Sequence, residues 1–245
     1  MQALALAAIF MLCPVTALWE YAAPEADTRE AGYTAGSDSR GQQEDEAGSD
    51  SRSQAEDGIK KRVALTFDDG PDAQYTPVLL DGLKERGVKA SFFVIGANIE
   101  KDGNRGLIKR MHEEGHLIGN HTLSHVRLTK IPLEEAEREI AETNEKILAA
   151  SGVLPVYTRP PYGEWNEELA GVTDMEPVFW NVDPLDWKVL DREKIADHIV
   201  KNAGDGRIVL LHDSYETTVD AALEVIDTLK EQGYTFVTVD ELLVD

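Results

Sequence analysis

From Ile59 onward the chain alternates short apolar runs of strand length with longer stretches whose apolar residues recur at helical spacing. That alternation admits few folds. The runs at 62–67, 89–95, 116–120, 156–159, 177–182, 207–212 and 235–239 read as strands. The stretches at 77–85, 105–114, 133–150, 167–171, 192–202 and 219–232 read as helices. Most strand runs are unbroken Val, Ile, Leu and Phe, the pattern of a sheet covered on both faces. Repeated strand and helix predict an α/β fold on a parallel sheet. About seven strands without a glycine-rich nucleotide loop favour a distorted (β/α) barrel over an open doubly wound sheet.

Upstream the composition changes twice. Residues 24–58 are rich in Ser, Gly, Asp, Glu and Gln and contain no Val, Ile or Leu, so burial cannot offset their ordering entropy. They are expected to form a disordered acidic linker. Within it 35–46 (AGSDSRGQQEDE) is echoed by 47–58 (AGSDSRSQAEDG), without the glycine and carboxylate placement of a calcium loop; a solvated spacer is the expectation. Residues 3–19 form an apolar stretch with the length of a signal-peptide core, short for a membrane span. Val15-Thr16-Ala17 suits a cleavage site, yet no Lys or Arg precedes the run, so residues 1–23 fit either a signal peptide or an N-terminal anchor. Leu12 is larger than the residue a lipoprotein signal favours ahead of a cysteine such as Cys13. Export to an extracellular or cell-envelope location is expected, with the membrane reached only through this segment and 59–245 as one compact domain.

The formal charge of -22 excludes electrostatic binding of nucleic acid, which needs clustered Lys and Arg. A neutral substrate or a cation suits the chain better. With one cysteine, a disulfide framework and a cysteine-rich zinc site are both excluded, so any metal must be held by His, Asp or Glu.

The residues with chemical potential fall at the C-terminal ends of the expected strands, the edge on which α/β proteins build active sites. Asp68 and Asp69 follow the first, His121 the third, Arg159 ends the fourth, Asp183 and Asp186 follow the fifth, and His212 ends the sixth. Alternating strand directions would point Asp68 and Asp69 to different tasks. In Asn120-His121-Thr122-Leu123-Ser124-His125, a helical turn would place the two imidazoles, four residues apart, on one face. One carboxylate and two imidazoles leave metal positions open for water and substrate, the ligand pattern of metal-assisted hydrolysis. His112 and His116 read as ordinary helix and strand-start residues; Trp165 and Trp180 could stack on a ligand face but are as often packing, and both stay outside the site.

TFDDGP at 66–71, HTLSH at 121–125, RPPYG at 159–163, DPLDW at 183–187 and LLH at 210–212 occur in the order found in the polysaccharide deacetylase family, carbohydrate esterase family 4. Residues 59–245 resemble the catalytic domain of its chitooligosaccharide deacetylases. The resemblance implies a (β/α) barrel with fewer than eight strands and roles by position. Asp69, His121 and His125 would hold the metal, with zinc the first expectation and cobalt, nickel or manganese as alternatives. Asp68 would be the general base, oriented by Arg159. Tyr162 would offer its backbone N–H to the oxyanion, and its side chain, with Trp187 and Leu210, would contact substrate. His212 would be the general acid, with Asp186 raising its pKa.

The activity implied is removal of N-acetyl groups from an amino-sugar polymer by a monomeric protein. Export and a long spacer point to bacterial peptidoglycan N-acetylglucosamine first, then chitin-like oligosaccharides. O-acetyl xylan is the second enzymatic expectation, and a silent glycan-binding domain the third.

Overall fold

A computed structural model describes residues 61–243; the expected N-terminal segment 1–23 and linker 24–58 lie outside the described residues. In chain order the elements are β1 (Arg62–Asp68), α1 (Thr76–Glu85), β2 (Ser91–Val94), α2 (Gly96–Ile99), α3 (Asn104–Glu113), β3 (Leu117–Asn120), α4 (Leu133–Ser151) and β4 (Tyr157–Thr158). There follow α5 (Glu167–Ala170), β5 (Glu176–Pro177), α6 (Asp186–Val189), α7 (Arg192–Asn202), β6 (Arg207–His212), α8 (Glu216–Glu231), β7 (Thr235–Phe236) and α9 (Val239–Leu243). Among the described residues no helix is long and apolar enough to cross a membrane.

Every ladder is parallel, in the order β5-β4-β3-β2-β1-β6, with β7 on β1. Strand β6 runs along one side of β1 from Val63 to Asp68. The other side is therefore shared: β7 takes Arg62 and Val63, and β2 takes Thr66 to Asp68.

The fifth strand departs from expectation. Its ladder ends at Pro177, and Val178 makes a last bond from its N–H to Thr158 O. The carbonyls of Val178 and Phe179 then accept hydrogen bonds from the Arg159 side chain instead of from a neighbouring strand. The N–H groups of Asn181 and Val182 donate to Ile208 O, and one parallel bridge, Val182 to Val209, meets β6. A single bridge thus closes the sheet into the distorted barrel. The helices α2, α6 and α9, of four or five residues, are too short to leave a periodic signal.

Strand alternation sorts the side chains into two environments. Val63, Leu65 and Phe67 of β1, Phe92 and Val94 of β2, and Val209 and Leu211 of β6 face outward, where Leu79, Leu80 and Leu83 of α1 and Val225, Ile226 and Leu229 of α8 cover them. Ala64, Phe93 and Val178 face inward and pack with Val239 of α9. Further along the same inward faces the lining becomes polar: Thr66, Asp68 and Arg159 are all buried. The hydrophobic effect fills one end of the barrel, and polar groups are left for the other.

Gly119 of β3 is fixed by this packing: a Cβ there would lie 2.4 Å from the Phe93 ring and 3.1 Å from Tyr157 O. Gly119→Ala is expected to destabilise by about 1–3 kcal/mol through overpacking. Urea unfolding should show a lower midpoint at an unchanged m-value.

Candidate active site

Asp68 is the last residue of β1, and its register partner across the ladder is His212, the last residue of β6. Asp69 leaves the strand with φ 70°. The turn beyond it is tightly fitted, because a Cβ on Gly70 would come within 2.5 Å of the Asp213 carboxylate. Asn98 Nδ2 donates to Asp69 O at 2.6 Å, and Ile95 N–H donates to Gly70 O at 3.0 Å.

The segment 121–125 does not form the helical turn that would set both imidazoles on one face. Thr122 (φ 65°) and His125 (φ 58°) are left-handed instead, and these two reversals bring the rings together at a centroid distance of 5.0 Å. Asp69 Oδ1 lies 3.3 Å from Nε2 of His121 and 3.3 Å from Nε2 of His125. It is buried and makes no well-formed hydrogen bond to either.

His121 Nδ1 lies 2.6 Å from Arg159 O. A carbonyl only accepts, so Nδ1 carries a proton, and Nε2 is the nitrogen left to bind a cation. Burial lowers the His125 pKa and outweighs the opposing charge of Asp69, favouring the neutral imidazole there. Burial works against ionised Asp69, yet its closeness to the rings of His121, His125 and His212 holds its pKa below the ordinary value. Three donor atoms within 4.8 Å of one another, one of them an orphaned buried oxygen, fit a divalent cation held by one Asp and two His.

Beside this set stands a buried ion pair. Arg159 Nη1 donates to Asp68 Oδ1 at 2.8 Å and to Thr66 Oγ1 at 2.6 Å. Nε reaches Val178 O and Nη2 reaches Phe179 O, while the guanidinium lies 4.2 Å from the centroid of the Phe93 ring. Only one nitrogen of the fork therefore orients Asp68, and the others brace the barrel wall. Asp68 Oδ2 points toward His121 Nε2 at 3.8 Å.

On the neighbouring strand, His212 Nδ1 is 2.8 Å from Asp186 Oδ1. Asp186 Oδ2 accepts from His212 N–H and from Thr218 Oγ1. Burial alone would lower the His212 pKa, but the bond and charge of Asp186, aided by Asp68 and Asp69, push it up to about 9.

These groups open onto a cleft of about 350 Å³ that Tyr162, Trp187 and Leu210 also line. The ten residues given roles by the motifs therefore meet at one barrel end, and Asp183 lines the cleft beside them. Trp180, Leu185 and Tyr215 line it too: Leu185 sits inside the DPLDW motif with no role assigned to it, and Trp180 and Tyr215 fall outside every motif. Tyr162 (φ 63°) sits between two neighbours: its ring meets that of His125 edge-on at 4.9 Å, and the Arg127 guanidinium lies 3.8 Å from its centroid. Arg127 is in turn ion-paired with Glu164. A second groove, of about 370 Å³, opens by His116, Leu117 and Tyr157 at the strand starts and holds none of these groups.

Fold and site together define a (β/α) barrel with a cation-ready Asp–His–His set at the C-terminal edge of its strands. The chain belongs to the polysaccharide deacetylase family, whose model matches residues 55–175. It is 41% identical over 192 residues to a peptidoglycan-N-acetylglucosamine deacetylase of Bacillus cereus, covering 75% of this chain and 89% of that one. It is 43% identical over 183 residues to the peptidoglycan-N-acetylmuramic acid deacetylase PdaC of Bacillus subtilis, of whose length it spans 39%. The solved structure of PdaC matches with a TM-score of 0.72 over 75% of this chain and 90% of that chain. A family 4 acetyl xylan esterase from Clostridium thermocellum, solved with a cobalt ion, matches at 0.71 with 37% identity, over 75% of this chain and 91% of that one.

Arg159→Met would leave the Asp68 carboxylate buried without its cation, a loss expected to cost about 3–5 kcal/mol. Chemical denaturation should show that loss, and adding Asp68→Asn to the same chain should restore part of it.

Proposed function

We propose that this protein hydrolyses N-acetyl groups on amino-sugar residues of peptidoglycan, releasing acetate and leaving free amines. The observation that carries the proposal is the pairing of Asp68 with His212 across the β1–β6 ladder: a carboxylate oriented by Arg159 and a proton-bearing imidazole backed by Asp186, flanking one donor set. A divalent cation held by Asp69, His121 and His125, zinc first and cobalt, nickel or manganese as alternatives, supplies Lewis-acid polarisation of the acetyl carbonyl and lowers the pKa of the attacking water.

The chain's own residues do the rest. Asp68 takes a proton from the attacking water, and Arg159 keeps its carboxylate aimed. The backbone N–H of Tyr162 donates to the developing oxyanion. His212 donates a proton to the departing nitrogen, a step an amide requires because an amine anion leaves poorly. Trp187 and Leu210 enclose the acetyl methyl, and the Tyr162 ring borders the sugar.

Among the residues lining the cleft there is no Lys or Arg, while Asp68, Asp69 and Asp183 are present. The lining thus offers no basic side chain to single out the lactyl group of N-acetylmuramic acid, which supports N-acetylglucosamine as the first substrate. The intact His212–Asp186 pair favours the amide over an ester such as acetyl xylan. On the same proposal 59–245 is the catalytic domain of a monomeric, exported protein, with 1–23 as signal or anchor and 24–58 as spacer.

Acetate release from N-acetylglucosamine oligomers, with mass spectrometry of treated muropeptides, tests the activity; metal-loaded protein that binds glycan but releases no acetate would overturn it. Asp68→Asn should retain metal and lose most turnover, whereas His125→Ala should lose metal affinity itself, as metal analysis of the two variants would reveal. His212 must be protonated to act, so kcat/KM falls as pH rises through its pKa. Asp186→Asn removes what raises that pKa, and the alkaline limb of the profile should shift to lower pH.

A further inference from the structure

The loop between the two histidines is held from outside as well as from within. Thr122 and His125 are left-handed, a conformation that costs a non-glycine residue about 1–3 kcal/mol and persists only where the surroundings over-determine it. Inside the loop Thr122 Oγ1 accepts from His125 N–H at 3.0 Å. The external restraints come from α2, whose Gly96 and Ala97 N–H groups donate to Thr122 O and Leu123 O at 2.9 Å each, and from one face of α4. Asn144 Oδ1 and Ile140 O both accept from Asn120 Nδ2, which leaves Asn120 Oδ1 to accept from Thr122 N–H at 2.7 Å.

Glu139, on that face, holds the residue next to His125. Its Oε2 accepts from Ser124 N–H at 2.9 Å and its Oε1 from the Ser124 hydroxyl at 2.7 Å. Glu139 is only 7% exposed, and among the described residues no Lys or Arg pairs with it. A buried carboxylate without a cation is a poor source of stability. Its two oxygens are instead committed to the residue immediately before His125.

We propose that Glu139 is a positioning residue for the ligand set: by fixing Ser124 it holds His125 in its left-handed conformation, with Nε2 facing Asp69 and His121 before any cation arrives. The inference rests on reading Asp69, His121 and His125 as a metal site. Gly96, Ala97 and Asn120 hold the first half of the loop, so without Glu139 it is the Ser124–His125 end that would have to be ordered at the moment of binding, and the loss falls on metal affinity. Outer partners of this kind are typically worth about 10–100-fold in metal affinity.

The test is a titration of metal-stripped full-length protein with zinc against a competing chelator, for wild type, Glu139→Gln and Ser124→Ala, with thermal unfolding of each stripped protein in parallel. Glu139→Gln should bind zinc about 10–100-fold more weakly, and turnover at saturating metal should stay near that of wild type. Ser124→Ala loses only the hydroxyl bond and changes no charge, so it should show a smaller loss that reports positioning alone. A wild-type dissociation constant in Glu139→Gln overturns the inference, whatever happens to its thermal stability. If Glu139→Gln fails to fold, an unchanged dissociation constant in Ser124→Ala overturns it instead. Wild-type protein that binds no zinc, cobalt, nickel or manganese rejects the metal site itself, a different failure from equal binding by wild type and variants.

Discussion

A guanidinium fully enclosed by protein must have its hydrogen bonds met on the spot, and Arg159 has arranged much of this barrel around that need. It leaves the end of β4, crosses the interior and reaches Thr66 and Asp68 on β1, then Val178 and Phe179 beyond β5. The ladder of β5 is short because those two carbonyls are turned toward Arg159 rather than toward a strand. Thr66 in turn passes its own proton to Val209 O on β6. One side chain therefore ties β1, β4, β6 and the closing segment together, and the same contact aims the carboxylate at the cleft.

Strain is concentrated where the chemistry is. Six non-glycine residues among those described have positive φ: Asp69, Thr122, His125, Tyr162, Leu185 and Leu190. Four of them line the cleft, and Thr122 lies between the two histidines. Regular strands deliver side chains at fixed spacing on alternating sides, which cannot bring Asp69, His121 and His125 onto one point. Left-handed residues re-aim them, and α4, closed at its C-terminus by the left-handed Gly152, gives the 121–125 loop a rigid support.

Much of this was legible in the sequence. Unbroken apolar runs announced the covered parallel sheet, and the placement of Asp68, His121, Arg159 and His212 at run ends announced the functional edge. What the spacing of His121 and His125 could not convey was how they converge, since a four-residue interval looks the same in a helix and in a loop with two reversals. The closure by Val182 was hidden because 177–182 reads as one strand, while its partner changes midway from β4 to β6. Trp180, Leu185 and Tyr215 were silent because a lone aromatic or leucine near a rim is also what a core requires. Arg127 and Glu164 were silent because an ion pair across 37 residues leaves no periodic trace.

Residue 159 serves the site twice, through different parts of itself. Its side chain orients Asp68, while its main-chain carbonyl receives the Nδ1 proton of His121 and so decides which nitrogen of that ring is left to bind a cation. Every amino acid at this position would present the same carbonyl, but only arginine offers the fork. The two halves of the site are therefore unequally exposed to sequence drift. Where the barrel can absorb a change at 159, the geometry of the Asp–His–His set is inherited and the aim of the Asp68 carboxylate is not, so the two halves of this edge can diverge separately.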